Sequence, residues 1–94
     1  MKELASVHAI AHGRVQGVFY RDCTLRKAKE LGLVGCVRNL PDGSMVEVLA
    51  EGDKEELGKL VYWLNVGSPE SAVERVDSNW SEYTGSYPDF RIKY

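Results

Sequence analysis

The chain has 94 residues, of which 44% are hydrophobic and 28% charged, a composition that is typical of a globular domain and excludes disordered, collagen-like and low-complexity proteins. Twelve Lys and Arg residues against fourteen Asp and Glu residues give a net charge of -2, which provides no general positive field for holding nucleic acid. The length predicts one domain over residues 1–94. Because no apolar run approaches the roughly 20 residues of a membrane span, we expect a cytoplasmic protein without membrane contact.

The first half of the chain predicts two strands around a helix. Within residues 7–12 the small residues Val7, Ala9 and Ala11 alternate with larger ones, which predicts a strand with one face towards a core, and Gly13 then opens a turn. Between residues 19 and 31 apolar side chains lie three apart, which predicts an amphipathic helix with Gly32 at its C-cap. Residues 33–39 predict the second strand.

A hairpin and a second helix follow. The turn at 40–43 contains the Pro, Asp and Gly that tight turns favour, and residues 45–51 alternate as a third strand. Asp53 is predicted to cap the next helix, with Glu56 closing a capping box. The apolar stripe of that helix is formed by Leu57, Leu60, Val61 and Leu64.

The last third of the chain adds two strands. Gly67-Ser68-Pro69 ends the second helix, residues 73–80 predict a strand, and residues 90–94 alternate to the last residue. The predicted order is therefore βαββαβ with an extra terminal strand. Since two helices cover only one face of a small sheet, we expect an α+β fold, a ferredoxin-like sandwich with a mainly antiparallel sheet and both helices on one face.

The loop between the first strand and the first helix has residues suited to an anion site. Its sequence, GRVQGVFYR from Gly13 to Arg21, places two glycines after a strand and an arginine at a helix start. Glycines permit the left-handed backbone angles with which successive N–H groups turn inward, and the helix start adds unsatisfied N–H groups. A guanidinium offers a planar pair of donors to one phosphate, so Arg21 would complete this cradle.

Spacing alone leaves a second interpretation open. Glycines are common in strand-to-helix turns, and an arginine near a helix start is usually a solvated surface residue. The usual nucleotide-binding patterns, G-x-x-x-x-G-K-[ST] and G-x-G-x-x-G, do not occur in this loop. The residues by themselves therefore predict either a phosphate cradle or an ordinary turn beside a surface arginine.

Two segments of the chain resemble the signatures of a known family. The segment GRVQGVFYR, followed by GCVRNLPDG at 35–43, is similar to the two signature segments of the acylphosphatases. The similarity continues through Gly67-Ser68-Pro69 and through Phe90, Ile92 and Tyr94, and it covers nearly the whole chain. The resemblance implies the same βαββαβ sandwich and an enzyme that hydrolyses a carboxyl-phosphate anhydride to a carboxylate and inorganic phosphate.

The resemblance also implies the roles of individual residues. It assigns Arg21 to binding the phosphoryl group and Asn39 to orienting the attacking water, and both positions hold the family's residue. The departures are Cys36, where the family usually has an aromatic residue, and Tyr20 in place of the commoner Phe. We expect these departures to affect substrate preference rather than activity. The backbone amides assigned to phosphate binding are those of Val15, Gln16, Gly17, Val18, Phe19 and Tyr20.

The chemistry of an acyl phosphate explains why so few side chains are expected. Its leaving group is a carboxylate of low basicity, which needs little or no proton, and phosphoryl transfer depends mainly on positioning and charge stabilisation. We therefore expect no metal ion or other cofactor, a monomer as is usual in the family, and competitive inhibition by the product phosphate. The rate should be nearly flat between about pH 5 and 8, since neither arginine nor asparagine titrates there.

Other chemistry-bearing residues favour structural interpretations. His8 and His12 are about 13 Å apart along a strand, too far to share a metal ion, and we expect both on the sheet face opposite the helices. A bridge between Cys23 and Cys36 is geometrically conceivable, but free thiols are expected in a reducing cytoplasm. The acidic run at 51–56 is interpreted as a helix start whose carboxylates suit the positive end of the helix dipole.

Two further functions compete with hydrolysis. A binding module could capture a phosphate or carboxylate without turning it over, although pure binding does not require a water-positioning amide such as Asn39. An RNA-recognition sheet would need a basic, aromatic motif of the [KR]-G-[FY]-[GA]-[FY] kind on a central strand, which the sequence lacks. A small acyl phosphate is thus the expected partner, with no nucleic acid.

Overall fold

The computed structural model describes residues 3–94. It confirms the predicted order of elements, although β1 extends beyond the predicted strand at both ends and the first helix begins at Tyr20 rather than Phe19. The elements are β1 (Leu4–Arg14), α1 (Tyr20–Glu30), β2 (Val34–Asn39), β3 (Met45–Asp53), α2 (Lys54–Val66), β4 (Ala72–Ser81) and β5 (Phe90–Lys93). In the described part of the chain, neither helix has the length and apolar character needed to cross a bilayer.

The five strands form one sheet in the order β4-β1-β3-β2-β5. β1 is antiparallel to both of its neighbours, β3 and β4, and β2 is antiparallel to β3. The terminal strand β5 lies at the edge and runs parallel to β2. The ferredoxin-like α+β fold is thereby confirmed, and the carboxyl ends of β1, β2 and β5 lie at the same end of the sheet.

One face of the sheet packs against both helices. Buried residues alternate along β1 and β3, as the period of a half-buried strand requires, and the leucines of α2 cover them. Each fully buried leucine contributes about 1.5–3 kcal/mol relative to exposure. The core includes Val7, Ala9, Ala11, Val46, Val48, Ala50, Leu57, Leu60 and Leu64.

α1 ends in a Schellman motif at the predicted glycine. Gly32 has a φ of 72°, and its amide donates to the Lys29 carbonyl at 3.1 Å. The amide of Leu33 donates to the Ala28 carbonyl at 2.9 Å. These two bonds satisfy carbonyls that the end of a helix leaves without partners, and the left-handed conformation they need favours glycine.

α2 begins with the cap that the sequence predicts but without the predicted capping box. Oδ1 of Asp53 accepts a hydrogen bond from the Glu55 amide at 2.9 Å. Glu56 instead accepts from Nζ of Lys59 at 3.0 Å. The capping-box prediction is therefore wrong, because residues three apart are neighbours on a helix and the lysine competes for the carboxylate.

The pairing of β1 with β4 is interrupted by a bulge just before the first loop. The register shifts between His12 and Gly13, so that Glu74 is an extra residue in β4. Gly13 has a φ of 125°, and a β-carbon at this position would collide with the carbonyl oxygen of Ala72. Glycine permits this close approach, and the bulge increases the local twist where the loop begins.

The sheet face opposite the helices, here called the helix-free face, carries paired polar side chains. Nε2 of His8 and Nε of Arg38 lie 2.8 and 2.7 Å from the carboxylate of Glu47. Nε2 of His12 lies 2.9 Å from the carboxylate of Asp77. Burial raises the pKa of Glu47, but the hydrogen bonds from His8 and Arg38 outweigh it and hold that pKa below its ordinary value. The predicted placement of both histidines is confirmed.

Both cysteines are free thiols, as expected. Cys36 lies opposite Leu49 on the helix-free face, where it is buried and burial raises the pKa of its thiol. Cys23 belongs to α1 on the other side of the sheet. The sheet thus separates the two sulfur atoms, so Cys23 and Cys36 do not form the disulfide that the sequence left conceivable.

Glu51 corrects the interpretation of the acidic run. It belongs to β3 rather than to the helix start and is only 1% exposed. Its carboxylate accepts hydrogen bonds from the Thr84 hydroxyl at 2.7 Å, the Thr84 amide at 3.1 Å and the Gly85 amide at 3.0 Å. Burial raises the pKa of Glu51, but these hydrogen bonds outweigh it and lower that pKa. Glu51 therefore attaches the connection between β4 and β5 to the sheet.

Candidate active site

The loop between β1 and α1 turns on two left-handed residues. Gly17 has a φ of 71°, and Phe19 has a φ of 59° and a ψ of 19°. Glycine reaches this region without steric cost, whereas a residue with a β-carbon is strained by about 1–2 kcal/mol. Phe19 is also the N-cap residue of α1, and its ring accepts no hydrogen bond from the helix.

This loop leaves a run of backbone amides without protein acceptors. The amide of Val15 donates to the Gly13 carbonyl at 3.1 Å, and the amide of Cys23 donates to the Phe19 carbonyl at 3.0 Å as the first bond of the helical ladder. Among residues 3–94, no acceptor is found for the amides between them, from Gln16 to Asp22. The amides without a protein acceptor therefore begin at Gln16, whereas the amide of Val15, which the resemblance also assigns to phosphate binding, donates to Gly13.

Two side chains fix the direction of these amides. Oγ of Ser68, which is buried, donates to the Val18 carbonyl at 2.8 Å. Since C=O and N–H of one trans peptide point in opposite directions, this bond turns the Phe19 amide away from Ser68. Nε2 of Gln16 donates to the carbonyls of Leu40 and Met45, both at 2.8 Å, and ties the loop to the hairpin between β2 and β3.

Tyr20 holds the start of α1 against α2. Its hydroxyl donates to the Leu64 carbonyl at 2.8 Å, and its ring stacks on Trp63 with centroids 5.6 Å apart. Leu64 lies in the last turn of α2, where carbonyls lack helical donors, so the tyrosine supplies one. Burial raises the pKa of Tyr20 well above its ordinary value. A tyrosine at position 20, instead of the phenylalanine more common in similar sequences, thus adds a hydrogen bond between α1 and α2.

Arg21 follows in the first turn of α1 and borders a cavity of about 260 Å³. Its guanidinium carbon lies 5.1 Å from the centroid of the Tyr94 ring. None of the ion pairs within residues 3–94 includes Arg21. The cavity is lined by Val15, Gly17, Phe19, Tyr20, Arg21, Asp22, Ile92 and Tyr94. A charged donor without a carboxylate partner therefore borders a small cavity beside the unpaired amides.

Asn39 ends β2 at the same end of the sheet. Val37 pairs with Ile92 in the parallel ladder of β2 and β5, so Asn39 and Tyr94 lie two residues further along these strands. Side chains two apart share a face, which places the Asn39 side chain on the helix side, as for Val37. Oδ1 of Asn39 is buried and has no hydrogen-bond partner among the described residues. Such an orphaned acceptor is rare, and it is suited to a water molecule or a ligand.

Comparison of this chain with known proteins identifies its family. The acylphosphatase family model matches residues 7–92. The acylphosphatase of Dehalococcoides mccartyi is 46% identical over 88 residues, which cover 94% of this chain and 97% of that protein. The chain belongs to the acylphosphatase family. The resemblance carried by the two signature segments is thereby confirmed.

Further relatives agree with membership of the acylphosphatase family. The acylphosphatase of Methylococcus capsulatus is 48% identical over 86 residues, which cover 92% of each chain. The crystal structure of acylphosphatase from Bacillus subtilis has a TM-score of 0.91 at 36% identity and covers 98% of this chain and 100% of that one. Membership supports hydrolysis of acyl phosphates as the activity of this chain, as predicted.

The structure places the predicted acylphosphatase residues in two groups. Arg21 and most of the loop residues border the cavity, whereas the side chains of Gln16 and Val18 point elsewhere and Asn39 lies outside the cavity lining. Cys36, the other departure from the family pattern, lies on the helix-free face, away from the helices. In residues 3–94 there is no cluster of three His, Cys, Asp or Glu side chains that could hold a metal ion.

Sequence reasoning missed the roles of three residues at this site. Ser68 was noted as part of a helix-ending segment, and its contact with the loop joins residues 50 positions apart. Ile92 and Tyr94 were predicted as members of the terminal strand, and only the parallel pairing with β2 brings them to the cavity. A polar residue followed by Pro after a helix gives no signal of such a long-range role.

Proposed function

We propose that this chain hydrolyses acyl phosphates without a metal ion, using backbone amides and Arg21 to bind the phosphoryl group and Asn39 to orient water. The observation that carries this proposal is the group of unsatisfied polar atoms at one end of the sheet. It comprises the amides from Gln16 to Asp22, the unpaired guanidinium of Arg21 and the orphaned Oδ1 of Asn39. A buried acceptor without a partner, such as Oδ1 of Asn39, is costly in a folded protein unless water or a ligand uses it.

The phosphoryl group would be bound by the loop and the arginine together. The amides of Gly17, Val18, Phe19 and Tyr20 provide neutral donors, and Arg21 provides a planar charged pair. In the transition state, charge spreads over the three equatorial oxygens, so fixed donors stabilise it more than they stabilise the ground state. One preorganised donor of this kind is typically worth about 10²- to 10³-fold in rate.

Asn39 would position the attacking water. Its Oδ1 accepts a hydrogen bond from the water, and the carboxamide neither gains nor loses a proton in this pH range, so it is not a general base. The proton of the water would pass to an oxygen of the transferring phosphate. We therefore expect a rate that is nearly flat between about pH 5 and 8.

The leaving group explains why neither a metal ion nor an acid is required. Cleavage of the P–O bond releases a carboxylate, whose low basicity makes its protonation unnecessary. Charge on the phosphoryl oxygens is balanced by Arg21 and by the positive end of α1. Substrate binding therefore needs no cation in addition to those the chain supplies.

Several expectations from the sequence stay predictions at this point. We propose that inorganic phosphate inhibits competitively, because it fits the same donors as the substrate. The single domain over residues 1–94, the monomeric state, the cytoplasmic location and the lack of nucleic-acid or membrane partners belong to the same proposal. Gel filtration tests the monomeric state, and a phosphate inhibition series tests product inhibition.

The decisive experiment is release of inorganic phosphate from benzoyl phosphate and acetyl phosphate, with and without EDTA. We expect the wild type to be active and insensitive to EDTA, and Arg21→Ala and Asn39→Ala to lose at least about 10²-fold in kcat/KM. Loss of activity in EDTA that returns with a divalent cation would overturn the metal-free step. Intact mixed anhydrides with the wild type would overturn the whole proposal.

A further inference from the structure

We propose that Phe19 contacts the acyl part of the substrate and makes the site favour aromatic acyl phosphates over small aliphatic ones. This inference rests on the proposed hydrolysis and names the substrate class of the same site. Phe19 is then a specificity-determining residue, in addition to the donation expected from its backbone amide.

The backbone of Phe19 is the first reason. Among residues 3–94 it is the one non-glycine residue with a positive φ, 59°. A β-carbon in the left-handed region is strained, and glycine would remove the strain, as Gly17 does two positions earlier. Strained residues of this kind cluster at ligand-binding sites, where the surrounding structure holds them in place.

The exposure of Phe19 is the second reason. The residue is 68% exposed, so its ring contributes little to the hydrophobic core. As an N-cap residue it accepts no hydrogen bond, whereas Ser, Thr, Asp or Asn at this position would stabilise α1. Neither the core nor the helix start therefore accounts for an aromatic side chain here.

The position of Phe19 in the cavity is the third reason. It borders the same cavity of about 260 Å³ as Arg21. The lining also includes the apolar Val15 and Ile92, the aromatic Tyr94 and the acidic Asp22. The acyl carbon of the substrate is joined to the phosphoryl group through one bridging oxygen. With the phosphoryl oxygens held by the amides and Arg21, the acyl group lies within reach of this lining, where Phe19 offers an exposed aromatic ring.

Exposed aromatic residues are common enough to require a control. Tyr62 in α2 is 74% exposed but has an ordinary helical backbone and lies outside the cavity lining. Replacing it removes an exposed ring of similar size without touching the site. Phe19 itself can be replaced by Asn, which tolerates the left-handed region, or by Tyr, which keeps the ring.

The experiment compares kcat/KM for benzoyl phosphate with that for acetyl phosphate in the wild type, Phe19→Asn, Phe19→Tyr and Tyr62→Asn. We expect Phe19→Asn to lower the benzoyl-to-acetyl ratio by roughly two- to tenfold, the range given by one aromatic contact. Phe19→Tyr and Tyr62→Asn should retain the wild-type ratio. The melting temperature of Phe19→Asn should equal or exceed that of the wild type, because the side chain is exposed and Asn is better suited to this backbone.

Each other outcome counts against a specific claim. An unchanged ratio in Phe19→Asn, or an equal fall in Tyr62→Asn, would overturn the role of Phe19 and leave the proposed hydrolysis intact. A lower melting temperature in Phe19→Asn would mean that the ring is structural, which also overturns it. If the wild type releases phosphate from neither compound, the proposed function fails and this inference fails with it.

Discussion

The helix-free face and the loop between β1 and α1 differ in whether their polar groups have hydrogen-bond partners. On the helix-free face, His8, Arg38 and Glu47 are bound to one another, and the buried Glu51 accepts three hydrogen bonds. In the loop and at the end of β2, the amides after Val15, the guanidinium of Arg21 and Oδ1 of Asn39 have no partner among the described residues.

Because of this difference, we expect substitutions on the helix-free face to change mainly stability and substitutions at the loop to change mainly activity. A paired polar group contributes modestly to stability, whereas an unpaired buried acceptor costs about 1–3 kcal/mol. Oδ1 of Asn39 is such an acceptor, whereas His8, Arg38, Glu47 and Glu51 on the helix-free face are paired. Substituting the same residue type in the two regions should give opposite results.

The largest effect is expected from the two arginines. Arg21→Lys removes the planar pair of donors, and we expect a loss of about 10²- to 10³-fold in phosphate release with little change in melting temperature, because no ion pair is lost. The matched control Arg38→Lys breaks a partly exposed pair with Glu47 and should cost at most about 1 kcal/mol of stability with unchanged activity. Near-normal turnover of Arg21→Lys would remove Arg21 from the mechanism.

A somewhat smaller effect is expected from the two asparagines. Asn39→Ala removes the group proposed to orient water, and we expect kcat to fall about 10²-fold while the inhibition constant of inorganic phosphate stays the same. Stability should not fall, because its orphaned oxygen has no hydrogen bond to lose. Asn79→Ala, on the exposed part of β4, should change neither property. Weaker phosphate inhibition in Asn39→Ala would assign Asn39 to binding instead.

The next effect concerns stability and pH. Glu47 and Glu51 have pKa values below their ordinary ones in the folded state, despite burial, because of their hydrogen bonds. A lowered pKa adds stability that is fully present above the ordinary carboxyl pKa and is lost as the pH falls through the folded value. We expect the free energy of unfolding, measured in urea, to decline below about pH 5.

Glu51→Gln tests one source of this acid sensitivity. It keeps the shape of the side chain but removes the charge that three donors share, so we expect a loss of about 1.5–3 kcal/mol near pH 7. The difference from the wild type should shrink as the pH falls. A constant difference from pH 7 to pH 3 would mean that the charge of Glu51 is not the cause.

The smallest effect is expected from Ser68. Ser68→Ala leaves the Val18 carbonyl without its donor and should cost about 1 kcal/mol of stability. Because the bond also directs the Phe19 amide, we expect weaker inhibition by phosphate, by a few-fold. Ser71→Ala, which removes a neighbouring serine bond to the Ser68 carbonyl, is the matched control and should leave phosphate inhibition unchanged.

Much of the fold could be predicted because its signals are local. The alternation at residues 7–12, the apolar stripe of α2 and the glycine after α1 each act within a few positions, and the structure confirms all three. Glu56 shows the limit of local rules, since the nearby Lys59 competes for a carboxylate that a capping box also needs. A local pattern indicates which hydrogen bonds a side chain could form, but it does not determine which partner the side chain binds in the folded protein.

The site was less predictable because its contacts join distant residues. Arg21 and the glycine loop could be identified from one segment, but Ser68 acts on a residue 50 positions away. Outside the site, Glu51 likewise binds Thr84, 33 positions away. Glu51 occupies an outward position of β3, and only the folded connection to β5 buries it. The left-handed backbone of Phe19 could not be predicted for another reason. Aromatic residues rarely adopt this conformation, so no sequence pattern indicates it.

The bulge opposite Gly13 has a consequence for how this protein tolerates change. The extra residue Glu74 lets β4 keep its alternation on one side while the end of β1 follows its own course into the loop. Changes in strand length elsewhere along β4 need not reach the loop, because the mismatch is absorbed at a single step. Removing Glu74 would make the pairing of β1 with β4 continuous, and the start of the loop that we propose to bind phosphate would then follow the twist of a regular ladder.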